Sequence, residues 1–123
     1  MRGLIPEMYV HGTDYQTRDG SCIRDYIHVT DIAKAHVRAL EVSFESDKKL
    51  YEVYNLGTGN GVSVLEAIKA FEKTAGMKLN YQLGPRRAGD VESIYSDSTK
   101  AKDGLNWTTE LGIEEMMNSA WKW

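Results

Sequence analysis

The stretch Tyr54-Asn-Leu-Gly-Thr-Gly-Asn-Gly-Val-Ser-Val-Leu-Glu66 contains a strand signal, a turn signal and a helix start in direct succession. Alternating aromatic and β-branched residues over 51–56 predict a strand. The glycines of residues 57–61 predict a tight turn with positive φ angles. Ser63 followed by Glu66 has the spacing of a capping box, which begins a helix. A strand, a turn and a capped helix in this order favour a mixed α/β fold.

The rest of the chain supplies further helices and only one more clear strand. The first 22 residues have no period and are expected to form turns and extended chain. The other predicted elements are a helix over about 30–44, a loop over 45–49, a strand over 78–83, a short helix capped at 97 or 98 and ending near 104, and a last helix over about 111–121. The predicted fold class is therefore α/β (mixed α+β), a small sheet covered by helices. Two strands cannot make a complete Rossmann domain.

Composition limits the chain to one domain and excludes several classes of function. The 123 residues, 41% of them hydrophobic, are enough for a single small core over 1–123. A net charge of -3 argues against non-specific nucleic-acid binding, which needs a basic face. No apolar run approaches the roughly 20 residues of a membrane span, and no signal peptide is recognisable, so we expect a cytoplasmic protein. The single cysteine, Cys22, and the three histidines do not have the spacing of a metal site.

The glycine-rich turn at 57–61 superficially resembles a phosphate-binding loop. Its spacing is G-x-G-x-G, whereas the dinucleotide fingerprint is G-x-G-x-x-G, and the Lys-Ser/Thr of a P-loop is missing. We therefore predict a structural turn, with no cofactor-binding residue in this chain.

Two polar clusters are candidate functional groups. Arg86 and Arg87 lie in a loop, and two guanidinium groups can bind a diphosphate while Asp90 accepts from ribose hydroxyls. The alternative is a solvated loop with a surface ion pair. Asp25 and His28, which precede the first helix, are either an acid/base pair or polar groups that tie a loop to its neighbours. The residue patterns alone leave both alternatives open.

The chain resembles the UDP-glucose 4-epimerases of the extended short-chain dehydrogenase/reductase family over most of its length. Residues 23–31, Ile-Arg-Asp-Tyr-Ile-His-Val-Thr-Asp, fit several nucleotide-sugar dehydratases and decarboxylases as well. The 4-epimerases are matched more narrowly by residues 54–66 followed by Arg-Arg-Ala-Gly-Asp at 86–90. The remaining matching phrases are Gly12-Thr-Asp-Tyr-Gln-Thr-Arg-Asp-Gly20, Lys100-Ala-Lys102 and Trp121-Lys-Trp123.

The resemblance implies that this chain corresponds to the C-terminal, substrate-binding lobe of such an enzyme. Family members bind NAD on an N-terminal Rossmann half and use a Tyr-x-x-x-Lys motif for the chemistry. Neither feature occurs here, and the start at 1–11 is atypical of the family. We therefore expect no catalytic residue and no NAD bound by this chain alone, NAD belonging to the full-length enzyme. Family enzymes are often homodimers.

The resemblance also assigns substrate-binding residues, with UDP-glucose and UDP-galactose as the expected partners. It places Arg24 and Arg87 on the diphosphate, Asp90 on the ribose, and backbone near Tyr9 and His11 on the uracil. Ile94, four positions after Asp90, corresponds to the residue beside the sugar 2-substituent; the alternative for this β-branched residue is packing in the core.

Two other functions remain open at this stage. One is a fragment of a related nucleotide-sugar dehydratase or decarboxylase. The other is a structural remnant that folds but binds no ligand.

Overall fold

The computed structural model describes residues 7–45 and 51–123. Eight elements follow one another along the chain: β1 (Met8–His11), β2 (Ile23–Arg24), α1 (Val29–Glu45), β3 (Val62–Ser63), α2 (Val64–Ala75), β4 (Tyr81–Gly84), α3 (Thr99–Leu105) and α4 (Ile113–Lys122). The mixed α/β class predicted from the sequence is confirmed, with four helices and short strands in the described residues. The loop predicted over 45–49 lies almost entirely outside them.

The strands form two small pairs. β1 runs parallel to β4 in a register that sets Met8 opposite Tyr81 and His11 opposite Gly84. β2 runs antiparallel to β3, and Ile23 also makes an isolated parallel bridge to Ser93. The parallel pair joins segments that are distant in sequence, as parallel pairing requires.

A core forms where α1 packs against α3 and the segment after it. Ala35, Ala101, Leu105 and Trp107 are buried together, with Ala39, Val42, Tyr54 and Leu56 packed around them. The indole Nε1 of Trp107 donates to the Asp31 carbonyl at 2.8 Å, so the largest aromatic of the core has its polar atom satisfied. Trp123, which follows the last turn of α4, is 96% exposed.

The capping box that begins α2 is confirmed in both directions. Ser63 Oγ accepts from the Glu66 backbone N–H at 3.0 Å, and Glu66 Oε2 accepts from the Ser63 N–H at 2.8 Å. Arg18 donates from Nε to Glu66 Oε1 at 2.6 Å, which ties the N-terminal loop to this helix. Gly76 ends the helix in the left-handed conformation at φ 66°, as its position after the last turn predicts.

One predicted element is wrong, and two others are refined by the structure. The strand over 51–56 is wrong, because these residues have no strand partner among the residues described. Residues 8–11, predicted only as part of a region of turns and extended chain, form the strand β1; its ladder partner 81–84 is far away in the sequence, so local patterns give no signal for the pairing. The short helix predicted to end near 104 is confirmed as α3, which ends at Leu105 with Asn106 in the left-handed conformation.

Glu66 provides a pH test of the α2 start. Its bond to Arg18 and the Ser63 N–H lower its pKa from 4.5 to about 2. A carboxyl group whose pKa is lowered by folding stabilises the protein above its unfolded pKa, and that contribution is lost as the pH falls from about 4.5 to 2. We expect Glu66→Gln to lower the free energy of unfolding at pH 7 and to flatten its pH dependence between those values, as measured by urea unfolding.

Glu41→Gln is the matched control, because its carboxylate makes an exposed ion pair with Arg38 and lies far from the start of α1. This variant should keep the wild-type pH dependence between pH 4.5 and 2. An equally steep acid loss in Glu66→Gln would contradict the role assigned to Glu66.

Candidate functional site

The structure brings Arg24, Arg87 and Asp90 together at one carboxylate. Arg24 lies at the end of β2, and the other two residues lie in the loop after β4. Arg87 Nη2 is 2.9 Å from Asp90 Oδ1, and Arg24 Nη2 is 3.7 Å from the same oxygen. Two guanidinium groups from distant parts of the sequence therefore converge on a single acidic side chain.

Backbone pairing positions Arg24 in this cluster. Its Nη1 donates to the carbonyl of Val91 at 2.7 Å. The loop that carries Asp90 also runs along β2, because the Ile23 N–H donates to Glu92 O at 2.9 Å and the Ile94 N–H donates to Ile23 O at 3.1 Å. The register of this loop against β2 sets the distance between the arginine and the carboxylate.

The neighbouring arginines keep Asp90 ionised, and the side chain of Arg87 is exposed to solvent. The hydrogen bond from Arg87 lowers the pKa of Asp90, and the positive charges of Arg87 and Arg24 lower it further. The Asp90 side chain is only 13% exposed, whereas that of Arg87 is 67% exposed. Arg87 therefore presents unused guanidinium donors to solvent beside a positively biased surface.

The two adjacent arginines of the loop point to different partners. Arg86 Nε donates to Asp14 Oδ1 at 2.7 Å, and its guanidinium carbon lies 4.2 Å from the centre of the buried Tyr15 ring. The residue patterns treated Arg86 and Arg87 alike, but the structure leaves only Arg87 at Asp90. The role of Tyr15 beneath Arg86 was missed from the sequence. Its ring also explains the glycine at position 12, since a Cβ there would lie 2.2 Å from the ring.

Two further side chains lie near the cluster. His11, whose backbone the family resemblance associates with the uracil, lies on β1 and contributes to the lowered pKa of Asp90. Tyr26 follows Arg24 by two positions, and its partial burial raises the pKa of its hydroxyl. Alternation along the extended chain, which puts residues i and i+2 on one side, was the signal that associates Tyr26 with Arg24.

Ile94 does not pack in the core. Its side chain is 57% exposed, and only its backbone is fixed, through the bond to Ile23. The core-packing alternative for this residue is therefore wrong. Its effect on sugar choice stays a prediction.

Asp25 and His28 act as structural ties. Asp25 Oδ1 accepts from Thr58 N at 2.9 Å and from Thr58 Oγ1 at 2.7 Å, and Oδ2 accepts from Ser96 N at 2.8 Å. His28 is buried; its Nδ1 accepts from Thr30 N, and its Nε2 lies 2.9 Å from Ser119 Oγ. Neither side chain is free to act as a general acid or base.

The glycine-rich loop does not fit a phosphate. Gly59 and Gly61 adopt positive φ angles of 75° and 61°, so they serve the turn. The Thr58 N–H at the start of the loop is bonded to the Asp25 carboxylate, whose charge would repel a phosphate. This observation argues against a dinucleotide site in the loop.

Other candidate sites in the described residues are weaker. A cavity of about 420 Å³ lies among residues 57–59, 95–99, 102 and 108–109, and none of the arginines or Asp90 lines it. No group of three or more His, Cys, Asp or Glu side chains in residues 7–45 and 51–123 is arranged to hold a metal ion. Within the same ranges no helix has the length and apolarity to cross a membrane. The arginine cluster remains the candidate site.

Replacing Asp25 tests its structural role. In Asp25→Ala the backbone N–H groups of Thr58 and Ser96 lose their acceptor, so we expect the free energy of unfolding to fall by about 1–3 kcal/mol. Chemical denaturation measures this loss. Asp103→Ala, on the exposed side of α3, is the control and should stay within about 0.5 kcal/mol of wild type. Equal free energies of unfolding for the two variants would contradict the structural role of Asp25.

Comparison with known proteins identifies the family. The model described as GDP-mannose 4,6 dehydratase matches residues 2–120. The chain is 50% identical over 121 residues to UDP-glucose 4-epimerase 2 of Oryza sativa subsp. japonica, covering 98% of this chain and 30% of that protein. It is also 50% identical over 121 residues to the UDP-glucose 4-epimerase of Pasteurella multocida, covering 98% of this chain and 35% of the relative. The chain thus spans about a third of the length of these curated relatives.

Solved structures agree with the sequence matches. The UDP-glucose 4-epimerase of Bifidobacterium longum, in complex with NAD+ and UDP, has a TM-score of 0.89 at 49% identity, covering 98% of this chain and 35% of that chain. The enzyme of Stenotrophomonas maltophila, with NAD and formylated UDP-arabinopyranose, has a TM-score of 0.92 at 45% identity and the same coverage. The chain therefore belongs to the family described by the GDP-mannose 4,6 dehydratase model, and the sequence and structure relatives to which it is similar are UDP-glucose 4-epimerases.

Proposed function

We propose that this chain is the UDP-hexose-binding portion of a UDP-glucose 4-epimerase that interconverts UDP-glucose and UDP-galactose. The observation that carries the proposal is the convergence of Arg24 and Arg87 on Asp90. Guanidinium groups bind phosphate oxygens through two parallel hydrogen bonds, and two of them suit a diphosphate. Asp90, ionised and close to both, would accept hydrogen bonds from the ribose hydroxyls.

The comparisons favour the epimerase over the alternative of a nucleotide-sugar dehydratase or decarboxylase. The family model carries a dehydratase description, but curated relatives with about half of their residues identical are epimerases. The Bifidobacterium longum structure contains UDP, the group that this site is proposed to hold. A remnant that binds no ligand is the alternative in a different class, and titration with UDP separates it from the first two.

In this proposal, this chain binds the UDP group and the rest of the longer protein binds NAD. Epimerisation presents both faces of the sugar to the hydride carrier, so binding energy is best placed on the UDP while the sugar stays loosely held. NAD, which supplies the hydride chemistry, would be held by the rest of the polypeptide, and this chain alone would bind none and would not be catalytic. In this proposal residues 1–123 form a single C-terminal domain of a cytoplasmic enzyme that functions as a homodimer.

Removal of Arg87 tests the diphosphate site. We expect the chain to bind UDP weakly, because one side of the site is open. Arg87→Ala should raise the Kd for UDP roughly 10- to 150-fold, because a hydrogen bond to a charged group contributes about 1.5–3 kcal/mol. Isothermal titration calorimetry or ligand-observed NMR measures the change.

Arg86→Ala is the matched control, since it removes the same charge at the neighbouring position. The Arg86 side chain is bonded to Asp14 and not to Asp90. Its Kd should change less than about threefold, the scale of a screened surface charge. Equal losses in the two variants would contradict specific contact by Arg87, and no UDP binding by the wild-type chain would favour the remnant.

The exposed Ile94 provides a test of sugar choice. Its β-branched side chain is stiff and should crowd an acetamido group at the sugar 2-position. We expect a longer enzyme carrying this segment to prefer UDP-glucose and UDP-galactose over UDP-N-acetyl sugars. Ile94→Gly should raise kcat/KM for the UDP-N-acetyl sugars relative to UDP-glucose and UDP-galactose. The expected change in this ratio corresponds to about 1–3 kcal/mol of activation free energy. Val91→Gly, also at an exposed residue of this loop, is the control, and an unchanged ratio in Ile94→Gly would remove Ile94 from substrate selection.

A further inference from the structure

The imidazole of His11 lies at the exposed end of β1. Side chains alternate between the two faces of a strand, so Val10 is buried whereas Tyr9 and His11 lie on the opposite, exposed face. The two rings are 6.4 Å apart, with 26° between their planes. Within residues 7–45 and 51–123, no group makes a hydrogen bond with the His11 ring. Both of its nitrogens are accordingly open to a ligand.

His11 lies at the same edge of the sheet as the arginine cluster. β1 and β4 run parallel, so their carboxyl ends meet, and His11 pairs with Gly84. Gly84 has no side chain to cover the imidazole, and a Cβ there would lie 3.8 Å from His11 Nδ1. The Gly12 N–H donates to the Gly84 carbonyl at 3.0 Å. This bond holds the end of β1 beside the loop that carries Arg87 and Asp90, and His11 contributes to the lowered pKa of Asp90.

The charged groups of the cluster and its loop keep one charge state near neutral pH. Arg24 and Arg87 carry guanidinium groups, which stay protonated in proteins. The hydrogen bond from Arg87 lowers the pKa of Asp90, so this carboxylate is ionised from about pH 5 to 8. Arg86, the next charge in the loop, is bonded to Asp14 and lowers the pKa of that carboxyl group as well.

The other titratable groups on the elements around His11 are tyrosines. Tyr9 lies beside it on β1, and Tyr81 lies on β4 at the opposite end of the paired strands. In the loop after β1, burial raises the pKa of Tyr15. Tyrosine hydroxyls ordinarily stay neutral between about pH 5 and 8.

Histidine is the residue type that ordinarily changes its charge between about pH 5 and 8. The other two histidines of the chain lie away from the cluster. His28 is buried, and each of its ring nitrogens is within hydrogen-bond distance of a neighbour. His36 lies on α1, where its Nδ1 is bonded to the Ile32 carbonyl. Among the residues described, His11 is therefore the one that can link the cluster to pH in this range.

We propose that His11 takes up a proton when a nucleoside diphosphate ester binds at the arginine cluster, which makes binding tighter at acidic pH. The inference rests on the proposed function, which brings the ligand to this edge of the sheet. Each phosphate of such an ester is negatively charged, and negative charge beside an imidazole favours its protonated form. The proton comes from solvent, so the bound state holds more protons than the free state. Affinity consequently increases as the pH falls.

Titration of the chain with UDP-glucose at about pH 5.5 and about pH 8 tests the proposal. The diphosphate of UDP-glucose is esterified at both ends and keeps its charge in this range, whereas the terminal phosphate of UDP changes its charge near pH 6. His11→Gln removes the titrating ring, and His11→Phe keeps a ring that does not titrate. His36→Gln is the matched control at an exposed histidine on α1. Calorimetry in two buffers of different ionisation enthalpy counts the protons taken up on binding.

We expect the Kd of the wild-type chain to be about three- to tenfold lower at the acidic pH, with net proton uptake on binding. His36→Gln should behave as the wild type does, and both His11 variants should lose most of the pH dependence. A wild-type Kd that does not change with pH would overturn the proposal and leave the proposed function standing. A pH dependence that persists in both His11 variants would do the same. Absence of UDP-glucose binding at both pH values would overturn the proposed function together with this inference.

Discussion

The carboxylate of Asp25 is the constraint on which the arrangement of the site depends. It accepts hydrogen bonds from residue 58 and residue 96, so two loops meet at one side chain. Space at this junction is limiting, because a Cβ at Gly57 would lie 2.1 Å from Asp25 Oδ2. With residue 96 held there, the chain before it runs along β2 and carries Asp90 to Arg24. The residue next to the proposed diphosphate contact thus holds the site together.

The site and the apolar surface have different physical characters. Two guanidinium groups share one carboxylate, which leaves an excess of positive charge and free donors at the surface, and such a surface suits a charged, hydrated ligand. Val37, Leu40 and Phe44, on the side of α1 away from the core, present exposed apolar side chains instead.

The strand prediction over 51–56 is wrong because a local pattern cannot show whether a segment has a partner strand. The alternation of aromatic and β-branched residues correctly indicates an extended chain with an inner side, since Tyr54 and Leu56 do pack in the core. A strand also needs a ladder partner, and none of the residues described supplies one. The local pattern reports the structure that a segment prefers, and it carries no information on whether the partner lies in the same 123 residues.

Features with local physical causes could be predicted from the sequence. α2 could be predicted with its cap because Ser63 and Glu66 bond each other's backbone three residues apart, and the chain's motifs were enough to indicate its family. Three features became visible only in the folded chain: β1 pairs with β4, Arg87 rather than Arg86 contacts Asp90, and Ile94 is exposed. These outcomes depend on contacts between residues far apart in the chain, and sequence spacing does not encode the distance between such residues.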